Sequence, residues 1–106
     1  GFKVALVTDG RMSGASGKVP AAIHLTPEAS QGGLIGKIQD GDMLTLDATT
    51  GTLQVLLDDS ELNARTPATY SGEAVEFGTG REMFSMFRAN VSDAASGACV
   101  LGSLAD

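Results

Sequence analysis

The residues best suited to chemistry lie in one glycine-rich stretch, Thr8-Asp9-Gly10-Arg11-Met12-Ser13-Gly14-Ala15-Ser16-Gly17-Lys18. An apolar run ends there in Asp-Gly and gives way to small, polar residues without periodicity. Such a loop presents hydroxyls and backbone N–H groups at a sheet edge. Arg11 and Lys18 add positive charge to an acidic chain, and the combination suits an anionic ligand such as a carboxylate or a phosphate. Two familiar motifs are excluded. A phosphate-binding P-loop needs four residues between its first glycine and a Gly-Lys-Ser/Thr ending, whereas Gly10 to Gly17 is longer and Val19 occupies the hydroxyl position. Met12-Ser13-Gly14 lacks the glycine that precedes a nucleophile elbow. On these rules alone, a surface loop and a ligand site remain equal readings.

The elements that must position this loop are short. Phe2 to Val7 reads as a buried strand, and Ala21 to Leu25 as a second. Thr26-Pro27-Glu28-Ala29 carries a helix-start pattern, with Thr26 as N-cap and Pro27 in the first turn, closed by Gly32-Gly33. Leu34 to Ile38, Met43 to Leu46 and Thr52 to Leu57 read as a meander joined by Gln39-Asp40-Gly41-Asp42 and Asp47-Ala48-Thr49-Thr50-Gly51, both with hairpin chemistry. Asp58 to Glu61 opens a short helix reaching about Arg65, stopped by Thr66-Pro67. Thr79 and Glu82 form a capping box before Met83, Phe84, Met86 and Phe87, an apolar stripe expected to pack in a core. Strands come first and helices late, so the expected class is α+β with a mostly β core, in a single domain over 1–106.

Composition bounds the function. The 106 residues, 42% hydrophobic and 19% charged, fit a folded domain rather than a disordered one. A net charge of −6 speaks against nonspecific binding to nucleic acid or an anionic membrane. No apolar run approaches the ~18 residues of a membrane span. The start at Gly1-Phe2-Lys3-Val4, without a signal peptide, is expected of a C-terminal fragment of a longer chain. The one cysteine, Cys99, excludes an internal disulfide and is expected to be a small buried residue; a cytoplasmic setting follows as the default. The one histidine, His24, lies in an apolar segment and reads as a hydrogen-bonded core residue. Asp9 reads as a cap or turn at the strand end, and Asp40, Asp42, Asp58 and Asp59 as solvated. Fourteen glycines, about twice the usual ~7%, imply tight turns and close backbone approaches.

The order Thr8-Asp9-Gly10-Arg11-Met12-Ser13-Gly14, continued by Thr26-Pro27-Glu28-Ala29, Gly32-Gly33 and Gln39-Asp40-Gly41-Asp42, resembles the C-terminal domain of the dihydroxyacid and sugar-acid dehydratase family. Ser13 to Pro20 and Gly78-Thr79-Gly80-Arg81-Glu82-Met83-Phe84 are most similar to the branch acting on 6-phosphogluconate in the Entner–Doudoroff route; the branched-chain amino-acid branch usually has glycine at position 15. The resemblance implies a β-barrel-like module of the swivelling β/β/α type, docked on an N-terminal domain in a homodimer. It implies a hydro-lyase that removes water from a 2,3-dihydroxy acid to leave a 2-keto acid. Ser13 is then the implied base, acting as an alkoxide. Lys18 becomes a phosphate partner, Arg11 a carboxylate or phosphate clamp, and Ser16 a contact for substrate hydroxyls. An iron–sulfur cluster, 4Fe–4S by expectation, and possibly Mg2+ would be bound upstream, so the fragment alone is expected to be inactive. A stand-alone anion-binding module is the competing non-enzymatic reading.

Overall fold

In the computed structural model, residues 1–14, 17–69, 77–78 and 80–102 are described. They fall into two units, Gly1–Ala68 and Thr69–Asp106.

The first unit is built on two small sheets. Strand β1 (Leu6–Val7) pairs in parallel with β2 (Ala21–Ala22), in the register Leu6 to Ala21 and Val7 to Ala22. Strands β3 (Leu44–Asp47) and β4 (Thr52–Val55) form an antiparallel hairpin running from Leu44–Val55 to Asp47–Thr52. The hairpin turn follows from its residues. Asp47 Oδ1 accepts the N–H groups of Thr49 and Thr50 at 2.9 and 3.2 Å, and Gly51 takes the left-handed φ of 68° that such a turn requires. Those two amides hold the Asp47 carboxyl below the usual aspartate range.

Between the sheets, the chain turns through a cis Thr26–Pro27 bond into two 3-10 turns, Ala29–Gln31 and Leu34–Lys37. Two sequence expectations are corrected here. Thr26 caps no helix: the first turn begins after Glu28, without a side-chain cap. Leu34 to Ile38 is not a strand, because its backbone is committed to local turns and to distant partners. Gly36 N–H donates to Gly33 O, while Gly36 O accepts from Ala68 N–H at 2.7 Å. Gly33 allows the tight entry: a Cβ there would stand 1.8 Å from the Pro27 carbonyl oxygen.

Helix α1 (Asp59–Ala64) starts where Asp58 O accepts the Glu61 and Leu62 N–H groups, with Asp59 and Glu61 suiting the positive end of the helix. Its Leu62 is buried at 3% exposure. At its C-terminal end, Arg65 makes a fork to Asp42, Nη1 to Oδ2 at 2.5 Å and Nη2 to Oδ1 at 3.0 Å. It also donates to Lys37 O at 3.1 Å and Glu61 Oε1 at 3.2 Å. Asp42 Oδ2 in turn accepts Gln39 N–H at 2.8 Å. Asp42 is therefore a clamp rather than a solvated acid, with 9% of its side chain exposed. The guanidinium and the Gln39 amide hold its carboxyl below the ordinary range, and the carboxylate raises Arg65 in return.

An open apolar cleft of about 270 Å³ lies between these pieces, lined by Val7, Pro27, Leu34, Ile38, Leu44 and Leu53 among others. The two sheets remain separate two-stranded pieces, and the described residues form no closed barrel. The opening run is not buried either: Phe2, Val4 and Leu6 are 98%, 64% and 36% exposed.

In the second unit, helix α2 spans Ser85–Asn90. The capping box expected of Thr79 and Glu82 does not start this helix: α2 begins after Phe84 without a side-chain cap, and Glu82 Oε1 instead accepts Gly78 N–H at 2.8 Å, while Thr79 lies outside the described residues. The stripe does not form a core. Met83, Phe84, Met86 and Phe87 are all exposed, although the two phenylalanine rings stack at 5.9 Å. Cys99 is also exposed rather than buried, with its N–H donating to Ser92 Oγ at 2.9 Å. Among the described residues no helix is long and apolar enough to cross a membrane.

Candidate functional site

The candidate site is the loop between β1 and β2, whose ends are set by the parallel pairing of those strands. Parallel strands end on the same edge, so the chain enters the loop beside the place where β2 later exits. Thr8 N–H donates to Ala22 O at 2.9 Å, and Leu25 N–H to Thr8 O at 3.3 Å. Thr8 Oγ1 accepts Gly10 N–H at 3.0 Å, which turns the chain out of the sheet. Gly10 O then accepts His24 N–H at 2.9 Å, fastening the start of the loop to the exit from β2.

Asp9 supplies the second fastening. Its half-buried carboxylate accepts Ala29 N–H at 2.7 Å, twenty residues away. Asp9 is thus a long-range tie between the loop and the first 3-10 turn, rather than a cap on its own strand end. No local spacing in the sequence signals this contact.

Arg11 and Ser13 lie in the segment that leaves the C-terminal edge of the sheet, and both are exposed. Among the described residues no ion pair engages Arg11, and the forks of guanidinium and carboxylate belong to Arg65 alone. Lys18, also exposed, lies two residues before Pro20, whose carbonyl accepts Leu6 N–H at 2.9 Å. That places it where the loop returns to the other edge, at the start of the two strands. The structure therefore joins Arg11 and Ser13 at one end of the loop and separates Lys18 to the other. Ser16 lies outside the described residues.

His24 corrects its sequence reading. It is exposed, not a core histidine, and its φ of 54° is left-handed. Its place beside Gly10 follows from strand register, which no local motif reports. Among the described residues no group of three or more His, Cys, Asp or Glu side chains is arranged to hold a metal ion. These residues do not fit an iron–sulfur cluster or a magnesium site.

A family model described as dihydroxy-acid/6-phosphogluconate dehydratase C-terminal matches residues 1–98. The chain belongs to that family. It is 56% identical over 97 residues to the phosphogluconate dehydratase of Escherichia coli K12, a match that covers 92% of this chain and 16% of the relative. It is 55% identical over 101 residues to the phosphogluconate dehydratase of Pseudomonas aeruginosa, covering 93% and 16%. The dihydroxy-acid dehydratase of Wolinella succinogenes is 41% identical over 98 residues, covering 92% and 17%. The chain thus spans about a sixth of the length of the curated relatives it matches.

Proposed function

We propose that this dehydratase-family chain is the C-terminal active-site part of a hydro-lyase that converts 6-phosphogluconate to 2-keto-3-deoxy-6-phosphogluconate and water, in the Entner–Doudoroff route. The observation that carries the reading is the higher identity to phosphogluconate dehydratases, 56% and 55%, than to a dihydroxy-acid dehydratase, 41%. The geometry of the loop supports it. Two residues of strand separate its two ends, about 7 Å. A six-carbon acid with a carboxylate at one end and a phosphate at the other has anions to offer both ends.

In this reading Arg11 binds the carboxylate and Ser13, two residues on, takes the proton from the adjacent C2. The C–H electron pair becomes the C2–C3 double bond as the C3–O bond breaks and its electron pair leaves with the oxygen. The departing hydroxide becomes water by taking the proton that Ser13 removed from C2, and the enol so formed gives up its O–H proton and gains one at C3 to become the 2-keto acid. A serine hydroxyl in water is far too weak an acid to serve as an alkoxide, so Ser13 requires a neighbouring positive charge or metal. In this proposal an iron–sulfur cluster and Mg2+ would be held by the upstream part of the longer chain and would supply that positive charge. Lys18 and Ser16 bind the phosphate and the substrate hydroxyls.

The same proposal includes an N-terminal domain of the longer chain, a homodimer, a cytoplasmic setting, and no nucleic-acid or membrane partner. It includes the swivelling β/β/α arrangement, which needs strands beyond the two pairs seen here. The isolated 106 residues are inactive. Dihydroxy-acid dehydratase is the second reading, favoured by the 41% relative. The two separate when the longer protein carrying this chain is given 6-phosphogluconate and a branched 2,3-dihydroxy acid, and 2-keto acid is measured. Product from 6-phosphogluconate at the higher kcat/KM supports the proposal; product from the branched acid alone overturns it.

A further inference from the structure

β1 and β2 open at one edge, and the chain leaves that edge twice, once into the Arg11–Ser13 segment and once through Ile23-His24. The two exits are fastened by the 2.9 Å bond from His24 N–H to Gly10 O, so the His24 backbone lies directly beside the residue that precedes Arg11. Three features single this position out. His24 is exposed although its segment, Ala21-Ala22-Ile23-His24-Leu25, is otherwise apolar. It adopts a φ of 54°, a conformation that favours glycine and, among residues with side chains, Asn, Asp and His. Among the described residues no hydrogen bond to its own imidazole accounts for that conformation. A left-handed backbone at a non-glycine residue persists where surroundings impose it, and such positions cluster at ligand sites.

We propose that His24 is a third side chain of the Arg11–Ser13 site, its ring N–H donating to an oxygen of the sugar-acid substrate. An imidazole donates from one nitrogen in its neutral form and from both when charged, so it serves a carboxylate or a hydroxyl. The inference rests on the dehydratase reading of the site. It makes His24 a substrate-binding residue supplied by the segment that follows β2.

The test uses the longer protein carrying this chain and compares His24→Gly and His24→Asn with wild type. Both replacements accept a φ near 54°, so the fold is kept while the imidazole is removed. The thermal midpoint and far-UV circular dichroism of His24→Gly should match wild type, while kcat/KM for 6-phosphogluconate falls about ten- to a hundredfold. The KM for 6-phosphogluconate should rise in both variants. Wild-type kcat/KM in a folded His24→Gly overturns the inference alone, leaving His24 as backbone shape. Loss of the fold in both variants also overturns it, because His24 is then a framework residue. A wild-type protein that makes no 2-keto acid from 6-phosphogluconate overturns the dehydratase reading and this inference with it.

Discussion

Replacing Gly33 with alanine tests the framework that holds the site. The φ of Gly33 is −62°, open to any residue, so space alone demands glycine. An added Cβ would stand 1.8 Å from the Pro27 carbonyl oxygen, 2.6 Å from its carbon and 2.9 Å from Glu28 O. Relief requires the backbone to move by about an ångström or more, since real Cβ contacts stay beyond 3.0 Å. That movement pulls at the 2.9 Å bonds that Gly33 and Gln31 make to Glu28 O, and through Ala29 at the tie to Asp9. Overpacking costs about 1–3 kcal/mol, and a hydrogen bond about 1 kcal/mol more, which gives ~3 kcal/mol. At about 4–8 °C per kcal/mol, the thermal midpoint should fall by roughly 12–24 °C. Gly36→Ala is the internal control, because its Cβ would meet Ala29 Cβ at an ordinary 3.4 Å. Thermal unfolding followed by far-UV circular dichroism decides the matter. A Gly33→Ala midpoint indistinguishable from that of Gly36→Ala would refute the reasoning.

Two further outcomes follow from charge. Lys18→Ala in the longer protein should raise the KM for 6-phosphogluconate about ten- to a hundredfold, the value of one charge-assisted contact, and leave turnover of an unphosphorylated sugar acid unchanged; equal losses on both substrates would place Lys18 in the loop framework. Asp42, held below its ordinary range first by the Arg65 fork and then by the Gln39 amide, contributes stability above the unfolded aspartate value and loses it as pH falls through the lower folded value. Urea midpoints should therefore drop more steeply below about pH 4 in wild type than in Asp42→Asn, and parallel curves would contradict the clamp.

The fold was legible where local chemistry decides it. Asp47 and Gly51 fix the β3–β4 turn, and the observed strands differ from the expected spans by one residue at each end of β3 and by two at Leu57. It was illegible where distant atoms decide. Leu34 to Ile38 has a strand's composition, yet Ala68 N–H and the Arg65 guanidinium take the carbonyls of Gly36 and Lys37, respectively. The apolar stripe at Met83 to Phe87 has the spacing of a packed helix, but spacing reports a face and not what covers it. The candidate site, the loop from Thr8 to Lys18, is singled out in the sequence by its glycines, hydroxyls and cations. Its fastening by Asp9 to Ala29 is not, because the two are twenty residues apart. His24 was misplaced for the same reason: the parallel register that sets it beside Gly10 has no signature in either strand.

The most direct test of the central claim is the turnover number of Ser13→Ala in the longer protein, measured as 2-keto acid formed from saturating 6-phosphogluconate. Ser13 is exposed, so removing its hydroxyl should leave the fold and KM nearly unchanged. Loss of the base should lower kcat by roughly a hundredfold or more. A folded Ser13→Ala protein that keeps more than about a tenth of wild-type kcat would contradict the assignment and return Ser13 to the status of a loop residue.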